Sequence, residues 1–299
     1  KKIKDARVLV IDEISMLHSY RLDLVENVIR MIKGNFEPFG GIQIILCGDF
    51  FQLPPVTKEG NPADYFAFKS SSWDDMDLRV CYLETQYRQT DREYSMVLNE
   101  IRADAVCRGT IETLRKRYQA SFGGKKITKL YTHNSGVDAI NDYELSRLPD
   151  EPKHFYMQSK GVEKLIKELK RNCLVPEDFV LKEKAVVIFL KNNFNRGYVN
   201  GTMGVVEGFD EYGNPVVKTN KGDIIIVLPE SWRFEEDDRV LAEISQVPLR
   251  LAWAITVHKS QGMSLDAAEV DLSKTFEPGM GYVALSRIRE LQGLRLMGL

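Results

Sequence analysis

The sequence has little cysteine and no long apolar run. Its four cysteines, Cys47, Cys81, Cys107 and Cys173, include no pair separated by only two residues, so a zinc ribbon is not expected. A chain of 299 residues with so few cysteines favours a reducing compartment over a disulfide framework. The apolar runs are far shorter than the ~18 residues that span a membrane, and no signal-peptide pattern occurs. We therefore expect an intracellular protein without a membrane partner, in a prokaryotic cytoplasm or a eukaryotic nucleus or mitochondrion.

Charge of neither sign is in excess. The 41 basic and 43 acidic residues leave a net charge of −2, which excludes a histone-like polycation but allows a local basic groove. Hydrophobic residues make up 43% of the chain and charged residues 28%, which is typical of globular proteins and excludes disorder, collagen and coiled coil. At ~100–200 residues per domain, the length predicts two domains, with room for a small third.

The apolar segments of the first third predict a strand–helix–strand unit. Val8–Ile11 and residues 42–47 are short apolar runs, and residues 19–33 between them carry apolar side chains at helical spacing. Both runs are typical of strands that are buried on both faces in a parallel sheet. We therefore predict an α/β fold, with a third strand over residues 79–84 and a helix over residues 93–105.

The pattern restarts near residue 110, so we place a domain boundary at residues 105–110. Further α/β elements are predicted beyond it: a helix from about residue 110, a strand at residues 127–132 and a helix over residues 137–145. Residues 197–222 differ, because they contain six glycines, with turn sequences at 211–214 and 220–223. They predict a small antiparallel sheet inserted into the second α/β domain.

Asp12 and Glu13 directly follow the first predicted strand. The carboxyl ends of parallel strands are where ligands bind in open α/β folds. At such an edge Asp12 would hold Mg²⁺, mostly through water, and Glu13 would polarise an attacking water molecule. The alternative is that the two acids only begin a helix, whose N-terminus favours negative charge.

Gln52 lies in residues 48–55, GDFFQLPP, directly after the second predicted strand. A polar side chain in a loop stiffened by two prolines can sense a γ-phosphate and pass the signal to neighbouring loops. The alternative is an ordinary loop in which Phe50 and Phe51 are core residues.

Arg88 and Arg287 lie near the ends of predicted elements. A guanidinium group is suited to the charge that grows on phosphoryl oxygens during transfer. A surface arginine is the more common alternative for either residue taken alone.

Two turns at strand ends combine short polar side chains. They are residues 256–262, TVHKSQG, and residues 131–134, YTHN. A strand-to-helix turn offers backbone N–H groups and hydroxyls to phosphate, although a lone His258 would more often be structural. The four scattered histidines show no metal-ligand spacing.

The sequence contains no G-x-x-x-x-G-K-[ST] phosphate loop. Residues 123–126, GGKK, come nearest but have the wrong spacing. In a nucleotide-hydrolysing sheet this loop precedes the Asp-Glu strand, and here only eleven residues precede Asp12. We therefore expect the loop to lie upstream of Lys1.

Five segments, in this order, resemble the motifs of the petite-integration-frequency (PIF-type) DNA helicases, which belong to superfamily one B and are related to RecD. Residues 9–16 resemble motif II, residues 38–55 motif III with its approach, residues 83–89 motif IV, residues 251–264 motif V and residues 276–287 motif VI. Random sequence would not give five such motifs in order, and the resemblance covers nearly the whole chain.

The resemblance implies an α/β fold of two RecA-like (P-loop NTPase type) lobes with parallel sheets, with ATP in the cleft between them. Single-stranded DNA would lie across their top. On this basis residues 1–107 form the C-terminal part of the first lobe, residues 108–190 and 247–299 form the second, and residues 191–246 form an SH3-like β insertion.

The resemblance also implies residue roles. Asp12, Glu13, Gln52, Arg88 and Arg287 would be catalytic, with Asp12 on Mg²⁺, and ATP would be bound by Gln52, Arg88, Gly262 and Arg287. The DNA contacts would be Thr132, Asn134, Thr256, His258, Lys259, Ser260 and Gln261. The family moves 5′ to 3′ on single strands and unwinds duplexes, forks and G-quadruplexes, which implies a role in DNA repair, recombination or telomere maintenance. We expect a monomer.

The departure from the family is motif I. Without its lysine and backbone cradle, ATP loses most of its β- and γ-phosphate contacts. We therefore expect a truncated piece of a helicase that by itself binds ATP weakly and hydrolyses little of it. Two alternatives stay open: a non-catalytic module that binds single-stranded DNA or protein, and a metal-dependent nuclease, which would need more carboxylates than Asp12 and Glu13.

Overall fold

The computed structural model describes residues 2–57, 60–122, 127–132, 136–236 and 239–298. By its contacts the chain divides into two compact units. The first unit comprises Lys1–Tyr87, Ile101–Ala105 and Thr275–Val283, and the second comprises Arg88–Glu100, Val106–Lys274 and Ala284–Leu299. Among the described residues, no helix combines the length and the apolar character that crossing a membrane would require.

The α-helices of the described residues include those predicted over residues 19–33 and 137–145. They are α1 (Lys2–Asp5), α2 (Ser19–Lys33), α3 (Ser71–Asp74), α4 (Arg92–Arg102), α5 (Arg108–Arg115), α6 (Val137–Ser146), α7 (Glu163–Asn172) and α8 (Met280–Ser286).

The strands of the described residues are short. They are β1 (Val8–Ile11), β2 (Gln43–Leu46), β3 (Thr128–Tyr131), β4 (Lys153–Tyr156), β5 (Gln158–Gly161), β6 (Asp178–Leu181), β7 (Val186–Phe189), β8 (Met203–Phe209), β9 (Pro215–Thr219), β10 (Ile224–Ile226), β11 (Glu230–Glu236), β12 (Arg239–Gln246), β13 (Leu249–Leu251), β14 (Ala254–Thr256), β15 (Ala268–Asp271) and β16 (Leu294–Gly298).

The first unit contains the predicted strand–helix–strand unit. Strands β1 and β2 pair in parallel, with Ile11 beside Leu46. One face of this pair packs on α2 through a cluster that includes Leu22 and Ile29. Helix α2 ends at Gly34, which adopts φ 64° and donates its N–H to the Arg30 carbonyl, as glycine does at many helix ends.

Two predictions for the first unit are wrong. Strands β1 and β2 are not buried on both faces, because Val10 is 58% exposed and Ile45 is 40% exposed. In the described residues these are the only two strands of the sheet, and they are covered on one face. Residues 79–84 form no strand: Leu83 is 98% exposed, and the segment has no strand beside it to satisfy its backbone.

The second unit contains a parallel sheet of order β14-β3-β15-β16. Strand β3 and helix α6 lie where the sequence predicts them, at residues 127–132 and 137–145. The non-consecutive strand order is typical of a parallel sheet, whose strands need crossover connections. Sequence pattern therefore gave the correct class for this unit, α/β with parallel pairing.

The glycine-rich segment forms antiparallel strands, as predicted. Strands β8, β9 and β10 belong to a sheet of order β10-β9-β8-β7-β13, and Gly213 and Gly222 have positive φ in the two predicted turns. A side chain at Gly204 would lie 2.6 Å from the Lys218 carbonyl oxygen, so the close approach of β8 and β9 requires glycine there.

The remaining strands of the predicted β insertion belong to another sheet. Strands β11 and β12 pair with β5 in a three-stranded antiparallel sheet. Residues 191–246 therefore divide between two sheets, and each sheet includes strands from outside this range. The pairing of β12 with β5 is long-range, so the local sequence pattern contains no signal for it.

Candidate functional site

The acidic pair lies at the carboxyl end of β1. Asp12 is exposed, and its Oδ1 accepts a hydrogen bond from the Glu13 backbone N–H at 2.9 Å. Glu13 is half-buried and has φ 51°, a left-handed conformation that costs about 1–2 kcal/mol for a residue with a side chain. Strain of this kind is concentrated at functional sites.

The alternative interpretation of the acidic pair, a helix start, fits less well. A short 3₁₀ helix, Ile14–Met16, does follow Glu13, but the Glu13 side chain makes no capping hydrogen bond to it. The long helix α2 begins only at Ser19. The two carboxylates are therefore not explained as helix caps.

The turn after β2 lies directly beside the turn after β1. The Ile14 N–H donates to the Cys47 carbonyl at 3.0 Å. A side chain at Gly48 would come within 2.9 Å of the Ile14 backbone nitrogen, so only glycine allows this approach. The structure thus brings the Asp12–Glu13 turn and the turn that leads to Gln52 to the same edge of the sheet.

Asp49 organises the turn that carries Gln52. Its Oδ1 accepts the Phe51 N–H at 3.1 Å, and its carbonyl accepts the Gln52 N–H at 3.0 Å. Its Oδ2 accepts a hydrogen bond from Arg102 Nη1 at 3.0 Å. Gln52 is half-buried at the end of this turn. Sequence reasoning missed Asp49 and Arg102, because nothing in their spacing connects them.

Gly279 packs against the same turn within the first unit. It has φ +76°, and a side chain there would lie 2.5 Å from the Gln52 carbonyl oxygen and 2.6 Å from that of Phe51. The start of the segment similar to motif VI therefore touches the segment similar to motif III. The Pro278-Gly279 pair is the only sequence signal for this contact.

Arg287 and Arg88 both belong to the second unit. Arg287 follows the last residue of α8 and is 1% exposed, and its Nη2 donates to Ser286 Oγ at 2.9 Å. The surface alternative therefore does not hold for Arg287. Arg88 is half-buried. The boundary expected at residue 107 would put Arg88 in the first lobe, whereas its contacts group it with the unit that contains Arg287.

The polar turn after β14 is a compact 3₁₀ turn, His258–Ser260. Thr256 Oγ1 accepts the Lys259 N–H at 3.2 Å, and Ser260 Oγ donates to the Val257 carbonyl at 2.7 Å. Thr256 and Ser260 are buried, whereas His258 and Lys259 are half-buried. The two hydroxyls thus hold the turn from inside, and the longer side chains lie nearer its surface.

Lys259 has a lowered pKa. Burial disfavours its charged form first, the Arg250 charge adds to this effect, and Asp138 partly opposes it. The lysine of this turn is therefore in a less hydrated setting than an ordinary surface lysine.

The other predicted phosphate-binding residues are near this turn or outside the described residues. Thr132 is buried at the end of β3, and Tyr131 O accepts the Val257 N–H at 2.9 Å, so the ends of β3 and β14 adjoin. Gln261 is half-buried, and Gly262 is exposed with φ +75°. Asn134 lies outside the described residues.

Asn141 supports this turn from helix α6. Its buried amide donates to the Ala254 carbonyl at 2.9 Å and accepts the Ala254 N–H at 3.0 Å. Ala254 is two residues before Thr256 on β14. The sequence signal for this role is that Asn141 is a polar residue between Val137 and Leu145 on the buried face of the predicted helix.

The described residues contain no group of three or more histidine, cysteine, aspartate or glutamate side chains that could hold a metal ion. The Asp12 carboxylate is exposed. This arrangement suits an ion that takes its other ligands from water and a nucleotide, as Mg²⁺ usually does.

The fold places the chain in the RecA-like α/β class, and solved structures agree. It aligns with the crystal structure of Bacteroides sp Pif1 in complex with ADP-AlF4 at a TM-score of 0.85 and 30% identity, over 100% of this chain and 72% of that one. It aligns with the Bacteroides Pif1 helicase in complex with ADP-AlF3 and ssDNA at a TM-score of 0.62 and 31% identity, over 98% of this chain and 71% of that one.

Sequence relatives give the particular family. The model of the PIF1-like helicase family matches residues 1–105. The ATP-dependent DNA helicase Pif1 of Psychrobacter sp. (strain PRwf-1) is 39% identical, over 100% of this chain and 54% of that protein. The chain belongs to the PIF1-like helicase family. It spans about half the length of the curated relatives it matches.

Proposed function

We propose that this chain is part of the motor of an ATP-dependent DNA helicase that moves 5′ to 3′ on single-stranded DNA. The observation that carries the proposal is the side-by-side position of the Asp12–Glu13 turn and the Gln52 turn at the carboxyl edge of β1 and β2. That edge is where α/β nucleotide-hydrolysing proteins work on their ligands.

In this proposal Glu13 polarises the attacking water, and Gln52 senses the γ-phosphate. The left-handed backbone of Glu13 fixes the direction of its side chain relative to Asp12. Asp12 would hold Mg²⁺, mostly through water, and the bound ion would neutralise charge on the phosphate oxygens. The exposed Asp12 carboxylate fits this role, because Mg²⁺ is commonly held by one or two carboxylates together with substrate phosphates.

Arg88 and Arg287 meet the charge that develops on the transferring phosphoryl group. A guanidinium group in this position contributes about 10³–10⁵ to the rate in other phosphoryl-transfer proteins. Arg287 is buried, which fixes its side chain more firmly than an exposed position would. Gly262 would allow the nucleotide to approach the backbone.

The two polar turns of the second unit bind DNA phosphates in this proposal. His258, Lys259 and Gln261 make the contacts from the turn after β14. Thr256 and Ser260, which are buried, shape that turn through their hydrogen bonds. Thr132 acts from the end of β3, and the DNA contact of Asn134 is proposed from the family resemblance alone. Binding to phosphates predicts an affinity that depends on salt and little on sequence.

The ligands proposed for this chain are single-stranded, forked and G-quadruplex DNA. The structure of one similar protein, a Bacteroides Pif1 helicase, includes ssDNA. Another similar structure concerns DNA unwinding at forked dsDNA by two coordinating Pif1 helicases. We further propose a monomeric, intracellular protein with a role in DNA repair, recombination or telomere maintenance. The lobe bounds at residues 107/108, 190/191 and 246/247 remain part of this proposal.

The proposal is tested with the full-length protein that contains this sequence. Wild-type protein should hydrolyse ATP faster when single-stranded DNA is added, and Glu13→Gln should lower kcat at least about 100-fold, as expected for loss of a general base, with DNA affinity unchanged. Glu211→Gln, at an exposed hairpin turn, is the matched control and should behave as wild type.

Two outcomes would contradict this function. ATP hydrolysis that is indifferent to DNA would overturn a DNA motor, and turnover unaffected by Glu13→Gln would overturn the role of the acidic turn. We also propose that the 299 residues by themselves turn over little ATP, because their sequence contains no phosphate loop. Steady turnover by this piece alone, abolished by Glu13→Gln, would contradict that expectation.

A further inference from the structure

The backbone on both sides of Arg287 is held by one side chain. Gln89 Nε2 donates to the Ser286 carbonyl at 2.9 Å and lies 3.2 Å from the Ile288 carbonyl. These two residues flank Arg287, and Gln89 directly follows Arg88. All of these residues belong to the second unit.

Two further side chains of the same segment bind the same stretch of backbone. The Tyr94 hydroxyl donates to the Leu285 carbonyl at 2.7 Å, and Asp91 Oδ2 accepts the Leu291 N–H at 3.1 Å. Tyr94 is fully buried, and burial raises the pKa of its hydroxyl, so it remains a donor. We refer to Gln89, Asp91 and Tyr94 as the arginine clasp.

The arginine clasp supplies hydrogen-bond donors to carbonyl groups at a helix end. The last carbonyls of a helix have no partner within it, and α8 ends at Ser286, one residue before Arg287. Tyr94 and Gln89 supply donors to these carbonyls. The Arg287 carbonyl itself accepts the Leu265 N–H at 2.8 Å. Three consecutive carbonyls, those of residues 286, 287 and 288, are therefore fixed.

We infer that Gln89 is a positioning residue for Arg287. It connects the backbone on both sides of Arg287 to the segment that begins with Arg88, so a shift of one backbone segment is passed to the other. The inference rests on the proposed ATPase function. Phosphoryl transfer is sensitive to such placement, since a misplacement of 1 Å can lower a rate about 100-fold.

The test uses Gln89→Met in the full-length protein, because methionine keeps the length of the side chain but cannot donate. We expect kcat for DNA-stimulated ATP hydrolysis to fall about tenfold, with KM changed less than about twofold. An interaction made mainly in the transition state affects kcat in this way. Tyr94→Phe, which removes one hydroxyl, should lower kcat about threefold.

Binding of a transition-state mimic separates positioning from stability. Gln89→Met should weaken binding of ADP with aluminium fluoride about tenfold and leave binding of ADP alone unchanged. A general loss of structure would weaken both to the same degree. Thr90→Ala is the matched control. The Thr90 hydroxyl donates to the Glu290 side chain at 3.0 Å, away from the Arg287 backbone, and the variant should match wild type in both assays.

The outcomes distinguish this inference from the proposed function. Suppose that the wild type hydrolyses ATP and binds ADP with aluminium fluoride more tightly than ADP. If Gln89→Met then behaves like Thr90→Ala, the inference about Gln89 is wrong, but the proposed function stands. It is also overturned if Gln89→Met loses affinity for both ligands equally. If wild-type protein hydrolyses no ATP, the proposed function fails and the inference falls with it.

Discussion

Arg102 donates to Asp49 Oδ2 at 3.0 Å and places its guanidinium group 5.1 Å from the centre of the Phe51 ring. One side chain at the end of α4 thereby holds both the acid and the aromatic ring of the turn that carries Gln52. The Asp49 side chain is only 13% exposed, so little water can replace this partner.

Replacing Arg102 should therefore destabilise the first unit. Arg102→Met leaves a largely buried carboxylate without its cation and removes the contact with Phe51. We expect a loss of about 1–3 kcal/mol in the free energy of unfolding, measured by urea denaturation, together with a lower rate of ATP hydrolysis.

The matched control for Arg102 is Arg108→Met. Arg108 pairs with Glu112 at 2.9 Å, but its side chain is 93% exposed, and exposed pairs of this kind contribute about 0.3–0.5 kcal/mol. Equal losses of stability for the two variants would show that the Asp49–Arg102 pair has no special role.

Local sequence pattern predicted the elements whose backbone hydrogen bonds form between residues close in sequence. Helix α2 needs only its own periodicity and Gly34, and both are visible in the sequence. The strand predicted at residues 79–84 failed because a strand needs a partner, and the local preference of Val80, Tyr82 and Leu83 for strands supplies none. Strand partners are remote in sequence and are not encoded by spacing.

Sequence pattern and family resemblance name candidate site residues but not the contacts between them. The sequence and its family resemblance identified Arg88 and Arg287 separately. The contact of Gln89 with the backbone beside Arg287 joins residues almost 200 positions apart, which no motif indicates. Burial is not visible in the motif either: Thr256 and Ser260 are buried, whereas Lys259 is half-buried.

Gly279→Ala should disturb the turn that carries Gln52. The added methyl group would lie 2.5 Å from the Gln52 carbonyl oxygen, so the backbone must shift in addition to the strain of a positive φ. We expect a loss of more than about 2 kcal/mol in the free energy of unfolding, and thermal denaturation can measure it.

Gly34→Ala isolates the effect of backbone conformation. Gly34 has a similar φ of +64°, but an added side chain would meet nothing within 4 Å. We expect this variant to lose only about 1–2 kcal/mol. If Gly279→Ala lowers the free energy of unfolding no more than Gly34→Ala does, the close approach of Gly279 to Gln52 does not contribute to stability.

Asn141→Leu should destabilise the strand that leads to the polar turn. Asn141 is 3% exposed and satisfies both the N–H and the carbonyl of Ala254. Leucine would leave two buried polar groups without partners, at about 1–3 kcal/mol each. We expect a clear loss in urea denaturation, while Asp142→Ala on the exposed side of α6 should change stability by less than about 0.5 kcal/mol.

The lowered pKa of Lys259 predicts how DNA binding depends on pH. A lysine with a pKa below the ordinary 10.5 loses its charge earlier as the pH rises. Affinity of the wild type for single-stranded DNA should therefore begin to fall below pH 10.5. Lys259→Arg should keep its affinity, because arginine stays protonated throughout this range.

The same shift has a definite sign for stability. Because folding disfavours the charged form of Lys259, the charged lysine destabilises the fold at low pH, and this penalty diminishes as the pH rises through the lowered pKa towards 10.5. Stability and DNA affinity should thus move in opposite directions over this interval.

Lys164→Arg, at an exposed position of α7, is the control and should not change the pH profile of DNA binding. A DNA-binding profile for Lys259→Arg that matches the wild type would contradict a phosphate contact by Lys259.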